Sequence, residues 1–223
     1  MTTVRDLGWL LRNRRVGTLA RAACRVLRRL AWSTDVMIIY QIDRETWTPE
    51  PCGRDDTGPL IRRDALEDFR SYTGSIWRLS RERMMAEAAR RLTAGEHCHT
   101  MVEGGVLLHY GWIQLDQPEM HLSEMDFTYR LPPRTAVVYN VYTEPGSRGR
   151  GLYKRSFVHR VAWLFEHGAE HCVWAILSSN TPSRHVSEAV FRTPAVARII
   201  RTRRLGRSRA WVEPIVQAPF GRS

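Results

Sequence analysis

No stretch of this 223-residue chain approaches the ~20 consecutive apolar residues that a membrane-crossing helix needs. Nothing in it reads as a signal peptide, and the four cysteines (Cys24, Cys52, Cys98, Cys172) include no C-x-x-C spacing. A zinc cluster, a disulfide framework and a dithiol redox pair are therefore not indicated, no metal is expected, and a reducing cytoplasm is the expected location. Glycine-lysine followed by serine or threonine is absent, which excludes a Walker loop. The one G-x-G, at Gly149 and Gly151, does not continue to the third glycine of a dinucleotide fingerprint, because Lys154 stands there. Aromatic residues are almost missing from the two arginine-rich runs, where Trp9 is alone, so base-stacking platforms for single strands are missing too. No internal repeat or low-complexity tract shows.

What the chain has is charge at its two flanks. Residues 1–31 hold eight arginines against Asp6, a net +7, and residues 192–209 hold seven arginines and no acid, again +7. The whole chain carries +11 and residues 210–223 cancel, so residues 32–191 carry −3 and compose as an ordinary globular domain. Within residues 4–31, Leu7, Leu10, Leu11, Val16, Leu19, Ala23, Val26, Leu27 and Leu30 recur in steps of three and four, giving one apolar helical face under arginines. Such a basic amphipathic helix docks on its own domain or a partner, lies on an anionic membrane, or serves as a targeting peptide. The division expected is a helical extension over 1–31 and one domain over 32–223.

The most informative stretch is Thr135–Gly168. Six of the eight residues Ala136–Thr143 are β-branched or aromatic, the composition of a buried strand. Pro145 and Gly146 end it. Arg148-Gly149-Arg150-Gly151 follows, and then an apolar stripe at helical spacing from Leu152 to Phe165, with Gly168 placed for a C-terminus. A strand, a glycine-rich turn and a helix N-terminus make an anion site: the first helical amides lack intrahelical acceptors, the macrodipole is positive there, and glycines let a phosphate approach.

Elsewhere, Val36–Ile42 reads as a first strand, Thr46–Pro59 as a loop, and Arg63–Tyr72 and Ser80–Leu92 as helices, the second ended by Gly95. His97–Val102 and Val106–Leu115 read as a hairpin across Glu103-Gly104-Gly105, with a further strand in Met120–Arg130 and another at His171–Leu177. After the last of these comes Ser179-Asn180-Thr181-Pro182-Ser183-Arg184, where Asn, Thr and Ser are good N-caps and Asn180 could also offer a donor and an acceptor to an amide-bearing ligand.

Arg148-Gly149-Arg150-Gly151-Leu152 resembles the first five positions of the Q/R-x-x-G-x-G/A turn of the GNAT N-acyltransferases, in a bacterial "RGRGLY" variant, and Thr143-Glu144-Pro145 resembles the V-x-P before it. Tyr153 replaces the closing small residue. Asn180-x-x-Ser183 resembles the segment that lines the coenzyme arm in that family. Ser187 stands where many members carry a tyrosine that protonates the departing thiolate, and Phe191-Arg192 replaces the usual Gly-Phe.

The resemblance implies an α+β fold with a central mixed, mostly antiparallel sheet flanked by helices. It implies transfer of an acyl group, acetyl foremost, from acetyl-CoA or another acyl-CoA to a primary amine. Val141, Tyr142 and Thr143 would hold the acyl arm, Arg148, Gly149, Arg150, Gly151, Leu152 and Tyr153 the pyrophosphate, and Asn180 and Ser183 the pantetheine. For the proton acceptor the residues offer Glu144, and His109 or Tyr110 on the hairpin, with Asn140 to align substrate or water. A rival class is a basic binding protein on anionic membrane or, less favoured, nucleic acid; a third is a GNAT-like domain without catalysis, which the departures at Tyr153 and Ser187 suggest.

Overall fold

The computed structural model describes residues 32–48, 58–73, 80–205 and 207–215. The helix expected over residues 4–31 and most of the expected 46–59 loop lie outside them. Ten strands are described: β1 (Trp32–Asp43), β2 (Ile61–Arg63), β3 (His97–Glu103), β4 (Val106–Gln114), β5 (Glu119–Leu122), β6 (Phe127–Arg130), β7 (Thr135–Thr143), β8 (His171–Leu177), β9 (Ala195–Arg204) and β10 (Arg207–Pro214). Helices are α1 (Arg81–Thr93), α2 (Leu152–Glu166) and α3 (Thr181–His185), the last continued by a π-turn over Val186–Val190.

Eight strands form one sheet in the order β10-β9-β1-β8-β7-β4-β3-β2, and β5-β6 form a separate hairpin. Every pair in the large sheet is antiparallel except β7 with β8, so the expected mixed, mostly antiparallel sheet is found. That parallel pair needs a crossover, and α2 supplies it. One face of the sheet buries Ile38, Tyr40, Ile113, Val138 and Trp174 against Phe157, Val161 and Leu164 of α2. The opposite face packs Met37, Ile39, Val173 and Ile199 under the β5-β6 hairpin, and Tyr110, Trp112 and Tyr142 under Phe69 and α1.

Local chemistry explains most boundaries. Ser80 caps α1, its Oγ accepting the Arg83 amide at 3.3 Å, and Gly95 takes φ +81 just past the C-terminus. Gly104 and Gly105 both take positive φ, the conformation a tight hairpin between β3 and β4 requires. One expectation changes, and one pair of strands was not anticipated. Arg63–Tyr72 is an edge strand ending at Arg63 followed by a 3-10 turn over Leu66–Ser71. The arginine run near the C-terminus forms two strands, β9 and β10; inward Ala197, Ile199 and Arg201 are buried, while the other arginines of these strands are exposed.

Candidate active site

The site is built where β7 and β8 part. Their ladder holds only Thr135↔His171, Ala136↔Cys172 and Val137↔Val173, after which both strands continue without pairing to each other. In a strand alternate amides face each neighbour, so beyond Val137 β7 presents polar backbone groups towards β8 that no ladder satisfies. Against β4, β7 stays paired through Thr143, but it carries a bulge. Tyr110↔Tyr142 is followed by Trp112↔Tyr139, so two residues of β7 oppose one of β4. Asn140 takes φ +45 there, a left-handed conformation that asparagine tolerates better than most residues, and its side chain is exposed.

At the end of the opening sits the turn into α2. Gly149 and Gly151 take φ +80 and +73, which non-glycine residues adopt at a cost of about 1–2 kcal/mol. The first intrahelical bond is from the Arg155 amide to the Gly151 carbonyl, 3.0 Å. The Leu152 and Tyr153 amides therefore have no helical carbonyl to donate to. Leu152 itself is buried, and the Tyr153 ring turns inward, 6.0 Å from Phe157 and 6.5 Å from Phe191 between centroids. Tyrosine in place of a small residue thus fills the core behind the turn and leaves its amide at the helix end. Arg148 stays exposed, its Nε 3.4 Å from the Thr143 carbonyl, and Arg150 pairs with Glu103 at 2.8 Å.

On the α1 side a cleft of about 1140 Å³ runs along β7, lined by Tyr110, Tyr139, Asn140, Val141, Arg91 and Glu96 among others. Tyr139 donates its hydroxyl to Glu96, and burial with this carboxylate pushes the phenol's ionisation up. Arg91 donates to Glu87 at 2.7 Å and lies over the Trp112 and Tyr139 rings at 5.2 and 5.5 Å. Hydrogen bonds from Arg90 and Arg91 bring the Glu87 carboxyl down to about 2. Glu96, Arg91 and Glu87 were not legible from the sequence. They sit on α1 and beside its C-terminus with no motif of their own.

The other expected residues separate into two groups. Glu144 lies at the end of β7, its carboxylate accepting from Tyr142 and, at 3.2 Å, from Thr73 Oγ1. Tyr142 is fixed by stacking on Tyr110, 5.2 Å between centroids. His109 instead faces α2, fully buried, with Nδ1 2.9 Å from Thr143 Oγ1. Burial first and the Arg160 charge second hold it neutral, far below the usual histidine range. It is not among the residues lining the cleft. Asn180 is the exposed N-cap of α3, its Oδ1 accepting the Ser183 amide at 3.4 Å. Ser187 is buried, accepting from Trp174 Nε1 at 3.1 Å and donating to the Ser183 carbonyl at 3.3 Å. Among the described residues no group of three His, Cys, Asp or Glu side chains is close enough to hold a metal ion.

A parted parallel strand pair beside a glycine turn and helix N-terminus is accompanied by a direct family match. Residues 61–190 match the model of the acetyltransferase (GNAT) family, and the chain belongs to that family. Among solved structures it is similar to a GNAT-family acetyltransferase from Colwellia psychrerythraea, with 13% identity and a TM-score of 0.53 over 76% of this chain and 56% of that one. It is also similar to a tandem GNAT protein from the clavulanic acid biosynthesis pathway, with 15% identity and a TM-score of 0.55 over 85% of this chain and 59% of the other. At these identities the likeness concerns the fold, and this chain spans little more than half the length of either structure. No curated protein matches the chain by sequence.

Proposed function

We propose that this protein transfers an acyl group, acetyl foremost, from acyl-CoA to a primary amine. The observation that carries the reading is the parting of β7 and β8 beyond Val137↔Val173, directly beside the N-terminus of α2. An acyl-pantetheine chain carries amides that need backbone partners, and Val141–Thr143, unpaired on the β8 side, supplies them. The amides of Gly149–Tyr153, the helix dipole and Arg148 suit a pyrophosphate. Asn180 and Ser183, at the start of α3 just after β8, are assigned to the pantetheine arm.

Chemically, a neutral amine nitrogen attacks the thioester carbonyl, the C–N bond forms, the C–S bond breaks, and the amine's proton passes to a base. The chain's share is positioning, donors for the developing oxyanion, and that base. Glu144 is assigned as the proton acceptor, at the end of β7 and oriented by Tyr142 and Thr73. Asn140 on the bulge aligns the amine or a water. His109 serves from behind, fixing the Thr143 hydroxyl. The thiolate, of pKa ~8.5, leaves without a dedicated acid. The cleft carboxylate Glu96 gives a cationic amine a partner before it loses its proton. With this reading go a domain over 32–223, a basic extension over 1–31 in peripheral contact with anionic membrane, and a cytoplasmic location.

Thiol release from acetyl-CoA, measured against a panel of monoamines, diamines and amino-terminal peptides, tests the proposal. Amine-dependent release supports it; no release with any amine, together with no acetyl-CoA binding, contradicts it. Binding without turnover would favour the non-catalytic reading.

A further inference from the structure

The β1-β9-β10 part of the sheet runs on past β8. The last β1-β8 pair is Met37↔Leu177, yet β1 stays paired to β9 for five more residues, to Trp32↔Arg204. At ~3.3 Å per residue this tongue runs about 16 Å beyond the last β1-β8 pair. Because β1 is antiparallel to β8, it projects from the end of the sheet at which β7 and β8 part. Its far end is the β9-β10 turn.

The tongue is chemically graded. At its base Arg201 is buried and paired with Asp35 at 2.9 Å, and Trp211 donates to Glu213 at 3.2 Å. Beyond them no acid occurs between Thr202 and Arg209, whereas Arg203, Arg204, Arg207 and Arg209 are all exposed. Direct pairing puts Arg204 with Arg207, and Arg209 with Thr202, on one face, leaving Arg203 on the other. At the apex stands Leu205, 78% exposed, one of two large hydrophobic residues so exposed among those described. The first arginine-rich run, residues 1–31, joins the sheet at Trp32, which pairs with Arg204. The described chain therefore begins at this same corner, beside the second basic flank.

We propose that the β9-β10 turn is a membrane-docking finger for anionic phospholipid, with Leu205 entering the interface and Arg203, Arg207 and Arg209 meeting lipid phosphates. An apolar apex within a ring of cations matches the layering of such an interface, acyl boundary inside and anionic headgroups outside. A nucleic acid would satisfy the arginines but leaves Leu205 without a role, and no aromatic residue between Thr202 and Arg209 offers a base a stacking face. Docking by this corner turns the β7-β8 opening towards the bilayer.

The test is co-sedimentation of the full chain with vesicles of phosphatidylcholine containing phosphatidylglycerol, and with pure phosphatidylcholine, across a salt series. The anionic vesicles should bind the protein, and binding should weaken with salt. Each arginine near such a surface is worth about fivefold in partition, so R203Q/R207Q/R209Q should lower it more than tenfold. Leu205→Asn, a residue that tolerates the φ of +48 at this position, should lower partition several-fold and most visibly at high salt. Both variants should keep the thermal midpoint of the parent. Equal partition of parent and triple variant would overturn the proposal, as would no binding to anionic vesicles at low salt. So would binding of a short single-stranded oligonucleotide that the same three substitutions weaken while vesicles bind nothing.

Discussion

The guanidinium of Arg160 lies directly over Gly111 of β4: a β-carbon built on that glycine would fall 1.7 Å from Nη1. Arg160 is wholly buried, with Nε on the Ser156 carbonyl at 3.3 Å and both terminal nitrogens without a hydrogen-bond partner among the described residues. The missing side chain at Gly111 is what admits a charged group between α2 and the sheet.

Gly111→Ala should therefore destabilise the domain by about 2 kcal/mol or more, because a buried arginine cannot swing aside as a surface one does. Arg160→Met should be neutral or stabilising, since a buried cation with no carboxylate partner among the described residues is replaced by a hydrophobe of similar reach. In the Arg160→Met background the Gly111→Ala cost should at least halve. Urea unfolding of the four proteins measures this, and additive costs would contradict the contact.

Two buried histidines set an acid limit on stability. Desolvation brings the His99 ring down to about 2 and that of His109 well below its ordinary value, with Arg160 adding to both. In the unfolded chain both titrate near 6.5. Below that pH the unfolded state binds protons that the folded state refuses, so stability is full above about 6.5 and falls as pH drops. Between pH 6.5 and 5.5 each ring should cost about 1 kcal/mol, and together they should lower the thermal midpoint by about 4–8 °C. His109→Leu should remove about half of this slope; an unchanged slope in that variant would count against a neutral buried His109.

Ser187→Ala separates stability from catalysis. Its hydroxyl takes the Trp174 indole N–H inside the core, so removal strands a buried donor and should cost about 1–3 kcal/mol of stability. A serine is a poor acid and a thiolate leaves readily, so kcat should fall less than about tenfold. A hundredfold loss in kcat with folding and CoA affinity intact would make Ser187 a participant.

Strands β1, β3, β4, β7 and β8, helices α1 and α2 and the glycine turn between β7 and α2 were legible because each carries a local signature: β-branched runs, a serine cap, paired glycines, an apolar stripe. β9 and β10 were not, because six arginines, only Arg201 of them buried, read as a charge run and mask the buried Ala197 and Ile199. The cleft was invisible for a different reason. Glu96, Tyr139 and Arg91 come together only when β3, α1 and the β7 bulge are in place, and nothing local to any of them announces the meeting. His109 shows the converse, since a histidine in a hydrophobic strand offered a proton acceptor and lies fully buried beside Thr143.

Glu144→Gln keeps the hydrogen bonds from Tyr142 and Thr73 but removes the proton acceptor. With a competent amine, kcat/KM should drop about a hundredfold or more at neutral pH while CoA affinity is unchanged. Retained activity would move the base elsewhere, Glu96 being the carboxylate to replace next.

The central claim, that the β7-β8 opening and the turn into α2 hold a coenzyme, is tested most directly by calorimetric titration of CoA into the full chain. The account predicts saturable binding at a single site. It further predicts that Gly151→Val, which forces a β-branched residue into φ +73 at the helix end, weakens binding at least tenfold without unfolding the domain. No heat at millimolar CoA with folded protein, or equal affinity in the valine variant, would contradict it.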